Sequence, residues 1–238
     1  VAGRNRTGLI RQLCNPCELH NLCENYEFVS RSALCQADRE SFPATGFHMS
    51  NALQKLLSER DWLLADGATG TNLFNMGLES GDPPEFWNET QQDKIRALYS
   101  GAVDAGSDLF LTNTFGSNAS RLKLHNAADR AHELSRIGAE LGREIADKAG
   151  RTVIVAGSVG PTGEIMQPVG PLSHDLAVEM LHEQAEGLKA GGADVLWVET
   201  ISAPEEFRAA AAAFALADMP WCGTMSFDTA GRTMMGVT

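Results

Sequence analysis

Short, uninterrupted apolar runs recur along residues 61–228 of this 238-residue chain, and they restrict its fold more than any other feature. Four clear runs and a fifth candidate occupy residues 62–65, 108–112, 152–156, 194–198 and 221–227. A strand buried on both faces lacks the alternation of apolar and polar residues that marks a half-exposed strand. The runs therefore predict strands of a parallel sheet that is covered on both sides.

The segments between the runs have the spacing of helices that bury one face. Apolar residues recur every three or four positions at Ile95, Leu98, Ala102 and Ala105, and at Ala177, Leu181, Ala185 and Leu188. Pro204, followed by two glutamates, suits the first turn of another helix. With strands starting near residues 62, 108, 152, 194 and 221, the chain is predicted to be a βα array.

Two architectures fit such an array: an open doubly wound sheet and a (β/α)8 barrel. No G-x-G-x-x-G motif follows the first run, whereas polar residues recur at the carboxyl ends of the runs, where a barrel carries its catalytic groups. A barrel needs eight strands and about 250 residues. Because the chain ends at Thr238, we expect an α/β protein whose (β/α)8 TIM barrel is truncated after about strand five.

The composition changes near residue 49, which divides the chain into a leader (1–48) and the N-terminal part of a barrel (49–238). Four of the five cysteines lie in the leader, at positions 14, 17, 23 and 35, and His20 lies among them. A thiolate metal site and an oligomerisation arm are open alternatives. Because no apolar periodicity surrounds the cysteines, we expect an unstructured or wrongly assigned leader, with Met49 resembling a natural start.

The net charge of the chain limits the classes of partner that it can bind. The formal net charge is -12, which argues against a protein that binds nucleic acid or an anionic membrane. No stretch of 18 apolar residues predicts a membrane span, and the N-terminus lacks the pattern of a secretory signal. We therefore expect a cytoplasmic enzyme, which could form a homo-oligomer, with a small-molecule substrate.

Two carboxylates and several glycines follow the predicted strands. Asp66-Gly67 follows the first run, and Glu199-Thr200 follows the fourth. Since the carboxyl ends of barrel strands open to one side, both carboxylates would point into one opening. Glycines there allow backbone N–H groups to approach a ligand. Such a site suits a small zwitterion, whose ammonium group binds carboxylates and whose carboxylate binds N–H groups.

Four motifs at these strand ends resemble the homocysteine S-methyltransferase family, which includes betaine–homocysteine methyltransferase and the homocysteine domain of cobalamin-dependent methionine synthase. The motifs are LLADGATGTNLF, LTNTFGSN, GSVGPTGE and the pair Glu199-Thr200, in the family's order over residues 52–238. The resemblance implies a zinc-dependent enzyme that methylates homocysteine to methionine. By position, it implies that Asp66 and Glu199 bind the amino group and that Gly67, Thr112 and Phe115 line the amino-acid site.

The resemblance also implies that three cysteines hold the zinc, beyond the fifth strand. Those positions lie past Thr238, so we expect no metal site in this stretch and no activity from it alone. Cys222 is expected to be a small buried residue at the start of the fifth strand, away from the opening. In the intact protein, zinc would deprotonate the thiol and so prepare it to attack an activated methyl group.

The methyl donor is left open by the motifs. Quaternary ammonium groups are commonly bound by aromatic cages, and the resemblance places aromatic residues of the betaine-using animal enzymes where Gly116 and Thr200 stand here. Trp87 could supply one wall of a cage. Betaine or a related onium compound, S-methylmethionine and methylcobalamin therefore remain alternatives.

Two other functions are compatible with a βα array. One is a Schiff-base lyase of the aldolase type, although the five lysines, at positions 55, 94, 123, 148 and 189, all fall on predicted helices or helix ends. The other is a truncated, non-catalytic remnant, whose open sheet edge would favour self-association.

Overall fold

Strands and helices alternate along the chain in the computed structural model, which describes residues 28–30, 51–67, 69–228 and 230–238. Strand β1 (Phe28–Ser30) and helix α1 (Asn51–Glu59) precede strand β2 (Trp62–Leu64). The elements that follow are α2 (Thr69–Asn75), α3 (Trp87–Thr90), α4 (Gln92–Asp104), β3 (Leu109–Leu111), α5 (Ala119–Leu122), α6 (Ala131–Lys148), β4 (Ile154–Val159), α7 (His174–Ala190), β5 (Val195–Ile201), α8 (Pro204–Leu216) and β6 (Trp221–Met225). The five predicted strand positions are confirmed by β2 to β6.

The parallel strands lie side by side in chain order. Strands β3, β4, β5 and β6 form one parallel sheet. Strand β2 joins its edge, since Ala65 forms a parallel bridge with Leu109 and Asp108 N donates to Leu64 O at 2.7 Å. Each strand therefore neighbours the next strand of the sequence, as in a (β/α)8 barrel, whereas a doubly wound sheet reverses its order.

The leader contributes one described element. Strand β1 pairs with β2 in the antiparallel direction, with residue 29 opposite Leu63. The leader cysteines, His20 and the predicted boundary at residue 49 lie outside the described residues.

The pleat of the sheet divides the core in two. Side chains on one face, the inner face, form a buried cluster with helix α1, and those on the other, outer face pack against helices α4, α6, α7 and α8. The first cluster includes Leu63, Leu109, Ile154, Val195, Trp197 and Cys222. The second face includes Phe110 and Val155 against α4 and α6, and Leu196 and Val198 against α7 and α8. Cys222 is 1% exposed, which confirms that it is a small buried residue.

The predicted helix faces are mostly correct. All four residues of the α7 stripe are buried, and α8 begins at Pro204. The α4 stripe was wrong at its end: Ala105 is exposed because the helix ends at Asp104, and Tyr99 is buried instead.

Two similar junctions lead from a helix into a strand, and each ends in an aspartate. Asp108 accepts a hydrogen bond from Leu64 N at 2.9 Å, and Asp194 accepts one from Val155 N at 2.8 Å. Asp108 also pairs with Arg60, and Asp194 with Arg143. Each aspartate thus joins the start of its strand to the strand before it.

No helix in the described ranges is both long enough and apolar enough to cross a bilayer.

Candidate functional site

A large cavity extends from the carboxyl ends of β2, β3, β4 and β5 along helix α4. It has a volume of about 1360 Å³, and its walls include all five residues that the sequence predicts for the site. These are Asp66, Gly67, Thr112, Phe115 and Glu199. They come from the ends of β2, β3 and β5, so residues up to 133 positions apart in the chain (199 − 66) line one space.

Asp66 is fixed by the neighbouring strand. It follows β2 by two residues and is half-buried. Leu111 N donates to its Oδ1 at 3.0 Å, while Asp66 N donates to Leu109 O at 3.1 Å. These two bonds continue the pairing between the strands past the end of β2. They hold the carboxylate at the cavity wall.

The loop after β3 is held by buried polar groups. Asn113 N donates to the hydroxyl of Tyr99 at 2.7 Å. Burial raises the pKa of this hydroxyl above its ordinary value of 10.0. Asn88 and Asn113 bond to each other reciprocally: Asn88 Nδ2 donates to Asn113 O at 2.8 Å, and Asn113 Nδ2 donates to Asn88 Oδ1 at 2.9 Å. Because buried amides need partners, this pair fixes the loop that carries Thr112 and Phe115.

Phe115 lies against the loop that follows β4. Gly160 N donates to Phe115 O at 2.9 Å. A Cβ atom at position 160 would come within 2.7 Å of both the Phe115 ring and its carbonyl oxygen. Glycine is therefore required there by close approach, which explains one glycine of the GSVGPTGE motif.

Glu199 lies near the end of β5 and is half-buried. Ser158, at the end of the neighbouring strand β4, donates a hydrogen bond from Oγ to Glu199 Oε1 at 2.5 Å. The alternation of side chains between the two faces of the sheet explains why Ser158 and Glu199 are in contact. Ile154 and Ala156 on β4, and Val195 and Trp197 on β5, belong to the inner cluster, so Ser158 and Glu199 are the next inward positions.

Glu85 is a cavity residue that the sequence analysis missed. It lies in a short 3₁₀ turn (Pro84–Phe86) and is 5% exposed. Gly116 N donates to its Oε1 at 2.6 Å. Burial raises the pKa of the Glu85 carboxyl, and the hydrogen bond from Gly116 and the charges of Arg121 and His125 only partly oppose this. The sequence signal that could have identified Glu85 is its position directly after two prolines and before two aromatic residues.

Other candidate residues lie elsewhere. Trp87 packs in the cluster behind the strands, with Lys94 Nζ 4.4 Å from its ring centroid, and it does not line the cavity. His125 is exposed and is among the residues that line the cavity. The cavity wall contains no lysine from the described part of the chain, which gives a Schiff-base lyase no support.

The described residues do not fit a zinc centre. Within those ranges no three His, Cys, Asp or Glu side chains lie close enough together to hold a metal ion. Cys222, the one cysteine among them, is buried in the core, where its Sγ lies 3.9 Å from Leu196 O. No chemical step through a metal can therefore be derived from these residues.

Comparison with known proteins agrees with the motifs. A family model for homocysteine S-methyltransferase matches residues 63–238. The methionine synthase of Mycobacterium tuberculosis (strain ATCC 25618 / H37Rv) is 35% identical over 167 residues, which are 66% of this chain and 14% of that protein. The methionine synthase of Mycobacterium leprae (strain TN) is 33% identical over 157 residues, 62% of this chain and 13% of that protein. The chain thus spans a small part of these curated relatives.

Solved structures share the fold. The oxidized form of the homocysteine methyltransferase MmuM from Escherichia coli has a TM-score of 0.62 and 25% identity, and the match covers 74% of this chain and 65% of that one. The metallated form has a TM-score of 0.64 and 24% identity, and the match covers 79% and 70%. The family model extends from β2 through every strand that lines the cavity, so the chain belongs to the homocysteine S-methyltransferase family.

Proposed function

We propose that the intact protein transfers a methyl group to the thiol of homocysteine to give methionine, and that the cavity described above binds the amino-acid part of homocysteine. The observation that carries the proposal is that Asp66 and Glu199 both line one cavity, in a chain of this family. Two carboxylates that line one cavity favour a cationic ligand group. An α-ammonium group meets that requirement.

The remaining roles follow from the chemistry of the cavity wall. Asp66 and Glu199 would accept hydrogen bonds from the ammonium group of homocysteine. Backbone N–H groups around Gly67, Thr112 and Phe115 would donate to its carboxylate. A zwitterion held at both ends leaves its thiol side chain as the only group free to extend toward a donor, so these residues orient the nucleophile.

Zinc belongs to this proposal only for the intact protein. The metallated form of MmuM, together with the family resemblance, supports a metal-dependent activity. The described residues do not hold such a metal, so we propose homocysteine binding, and not turnover, as the property of this part of the chain. The absence of methyl transfer from this part alone stays a prediction.

The described part of the cavity wall leaves the identity of the methyl donor open. Phe115 is the one Phe, Tyr or Trp among the described lining residues, whereas a cage for a quaternary ammonium group needs several aromatic faces. Gly116 is buried under Glu85, and Thr200 carries no ring. Betaine or a related onium compound, S-methylmethionine and a methylcobalamin module therefore all stay alternatives as the donor.

Calorimetric titration of the purified chain with reduced L-homocysteine tests the proposal. We expect saturable binding to the wild type. Asp66→Asn and Glu199→Gln should each weaken it by roughly 10- to 100-fold, since a hydrogen bond to a charged group contributes about 1.5–3 kcal/mol. Glu205→Gln, at an exposed position of α8, is the matched control and should bind as the wild type does. Absence of binding to a folded wild-type chain would contradict the proposal.

A further inference from the structure

A set of buried hydroxyl and amide groups fixes the backbone of Ser158 beside the cavity. Ser158 N donates to Thr112 Oγ1 at 3.0 Å. Ser158 O accepts from Thr114 Oγ1 at 2.8 Å and from Gln184 Nε2 at 3.3 Å. All four residues are at most 2% exposed. The end of β4 is therefore held by the loop after β3 and by helix α7.

The hydrogens of this set can be assigned by counting. Each hydroxyl has one hydrogen to donate. The Thr114 hydroxyl donates to Ser158 O, so the 2.6 Å contact between Thr114 Oγ1 and Thr112 Oγ1 must use the hydrogen of Thr112. Both threonine hydrogens are then committed within the set. The Ser158 hydroxyl is left to donate to Glu199, and its Oγ lies 2.5 Å from Glu199 Oε1.

This bond has a consequence for the side chain of Glu199. A glutamate has several rotatable bonds and loses rotamer freedom when a ligand fixes it. A carboxylate already fixed by a neighbouring donor loses less on binding, so affinity rises through preorganisation. Ser158 is suited to this role because its own backbone cannot move without breaking three buried hydrogen bonds.

The backbone after Glu199 adds a second, independent constraint. Thr200 has φ 63°, in the left-handed region that β-branched residues rarely adopt, and the pairing of β5 with β6 shifts register between Val198 and Ile201. Because of this bulge, Ile201 packs with Leu196 and Val198 on the outer face. Glu199 keeps the inward phase of Trp197. Strained residues of this kind persist where the surrounding structure enforces them, often at functional sites.

We propose that Ser158 is a positioning residue that aims the Glu199 carboxylate at the ligand, and that it thereby selects amino acids with a free α-ammonium group. The proposal rests on the proposed function, because it assumes that homocysteine occupies the cavity. It predicts that loss of the Ser158 hydroxyl weakens recognition of the ammonium group and leaves recognition of the rest of the ligand unchanged.

The experiment compares two ligands on matched variants. Reduced L-homocysteine and 4-mercaptobutyrate, which lacks the amino group, are titrated into the wild type, Ser158→Ala and Ser158→Cys. The Cys variant keeps the volume of the side chain but is a weak donor. Ser135→Ala is the control, because Ser135 is equally buried and its hydroxyl has no hydrogen-bond partner among the described residues. Circular dichroism and urea unfolding report whether each variant is folded.

We expect the Kd for homocysteine to rise on the order of tenfold in both Ser158 variants, with little change for 4-mercaptobutyrate. Equal homocysteine affinity in the wild type and the folded Ser158 variants would overturn the inference and leave the proposed function standing. Equal loss of both ligands would also overturn it, because the role of Ser158 would then be structural. If the folded wild type binds no homocysteine, the proposed function itself fails, and the inference with it.

Discussion

Single carboxylates hold the loops around the cavity, and Glu85 shows what burial does to one of them. It is 5% exposed, and burial raises the pKa of its carboxyl above the ordinary 4.5. The folded chain therefore binds this proton more tightly than the unfolded chain does. Between the two pKa values the folded state carries more protons, so stability falls as pH rises through that window.

The variant Glu85→Gln isolates this contribution. Glutamine keeps an oxygen that can accept from Gly116 N but does not titrate. The stability of the variant therefore lacks the decrease with rising pH that Glu85 causes. We expect the free energy of unfolding of the wild type, relative to Glu85→Gln, to decrease as pH rises above the ordinary carboxyl pKa of 4.5. Urea unfolding of both proteins across that range measures the difference. A difference that does not change with pH would contradict the prediction.

Glu206 holds the loop after β4. It is 6% exposed, and Thr162 donates to its Oε1 from N at 2.8 Å and from Oγ1 at 2.6 Å. Glu206→Ala leaves both buried donors without an acceptor, which should lower the free energy of unfolding by about 1–3 kcal/mol.

Glu205→Ala is the control for this variant. Glu205 shares the first turn of α8, so both changes lose the same favourable interaction with the helix dipole, but its side chain is 52% exposed. Urea denaturation should find Glu206→Ala at least about 1 kcal/mol less stable than Glu205→Ala. Equal stability would show that the Thr162 bonds contribute nothing.

At the scale of elements, close approach between helix α6 and the loop after β3 depends on one glycine. A Cβ atom at Gly138 would lie 2.6 Å from Thr114 Cγ2 and 2.7 Å from Asn88 Nδ2, both in buried residues. Alanine favours a helix over glycine by about 1 kcal/mol, but forced overpacking typically costs about 1–3 kcal/mol. We expect Gly138→Ala to destabilise the chain, as read by its urea midpoint.

Gly101 in α4 provides the opposite case. A Cβ atom there would meet nothing within 4 Å, so Gly101→Ala should raise stability by up to about 1 kcal/mol. The two substitutions are chemically identical and both are helical. Opposite signs would show that packing, and not helix propensity, decides the effect at Gly138, whereas a gain in both would show that α6 can move away from the loop.

At the scale of the whole molecule, the charge makes a separate prediction. The net charge of -12 predicts no retention on heparin or on immobilised DNA at about 0.1 M salt, because binding to either polyanion is driven by cationic side chains that release counterions. Elution in the flow-through is the expected result. Retention that falls as salt rises would show a basic surface that the overall balance conceals. The cytoplasmic location and a homo-oligomeric state stay predictions.

Local patterns of the sequence determined the parallel strands, the order in which they follow one another, and the residues at their carboxyl ends. Apolar runs and helix periodicity depend on neighbours a few positions apart, which a sequence displays directly. Asp66 and Glu199 could thus be assigned to one opening, because parallel strands bring their ends together, whereas Thr112 and Phe115 were assigned to the site by the family resemblance.

Only the tertiary structure decided how those residues are held. The bond from Gly116 N to Glu85 spans 31 positions and that from Ser158 to Glu199 spans 41. Thr200 adopts the left-handed backbone conformation although it is not a glycine, so the sequence gives no signal for it. Such contacts depend on the phase of two pleated strands and on which loop covers which strand end. Packing across the sheet determines those relations, and no local stretch of the sequence predicts them.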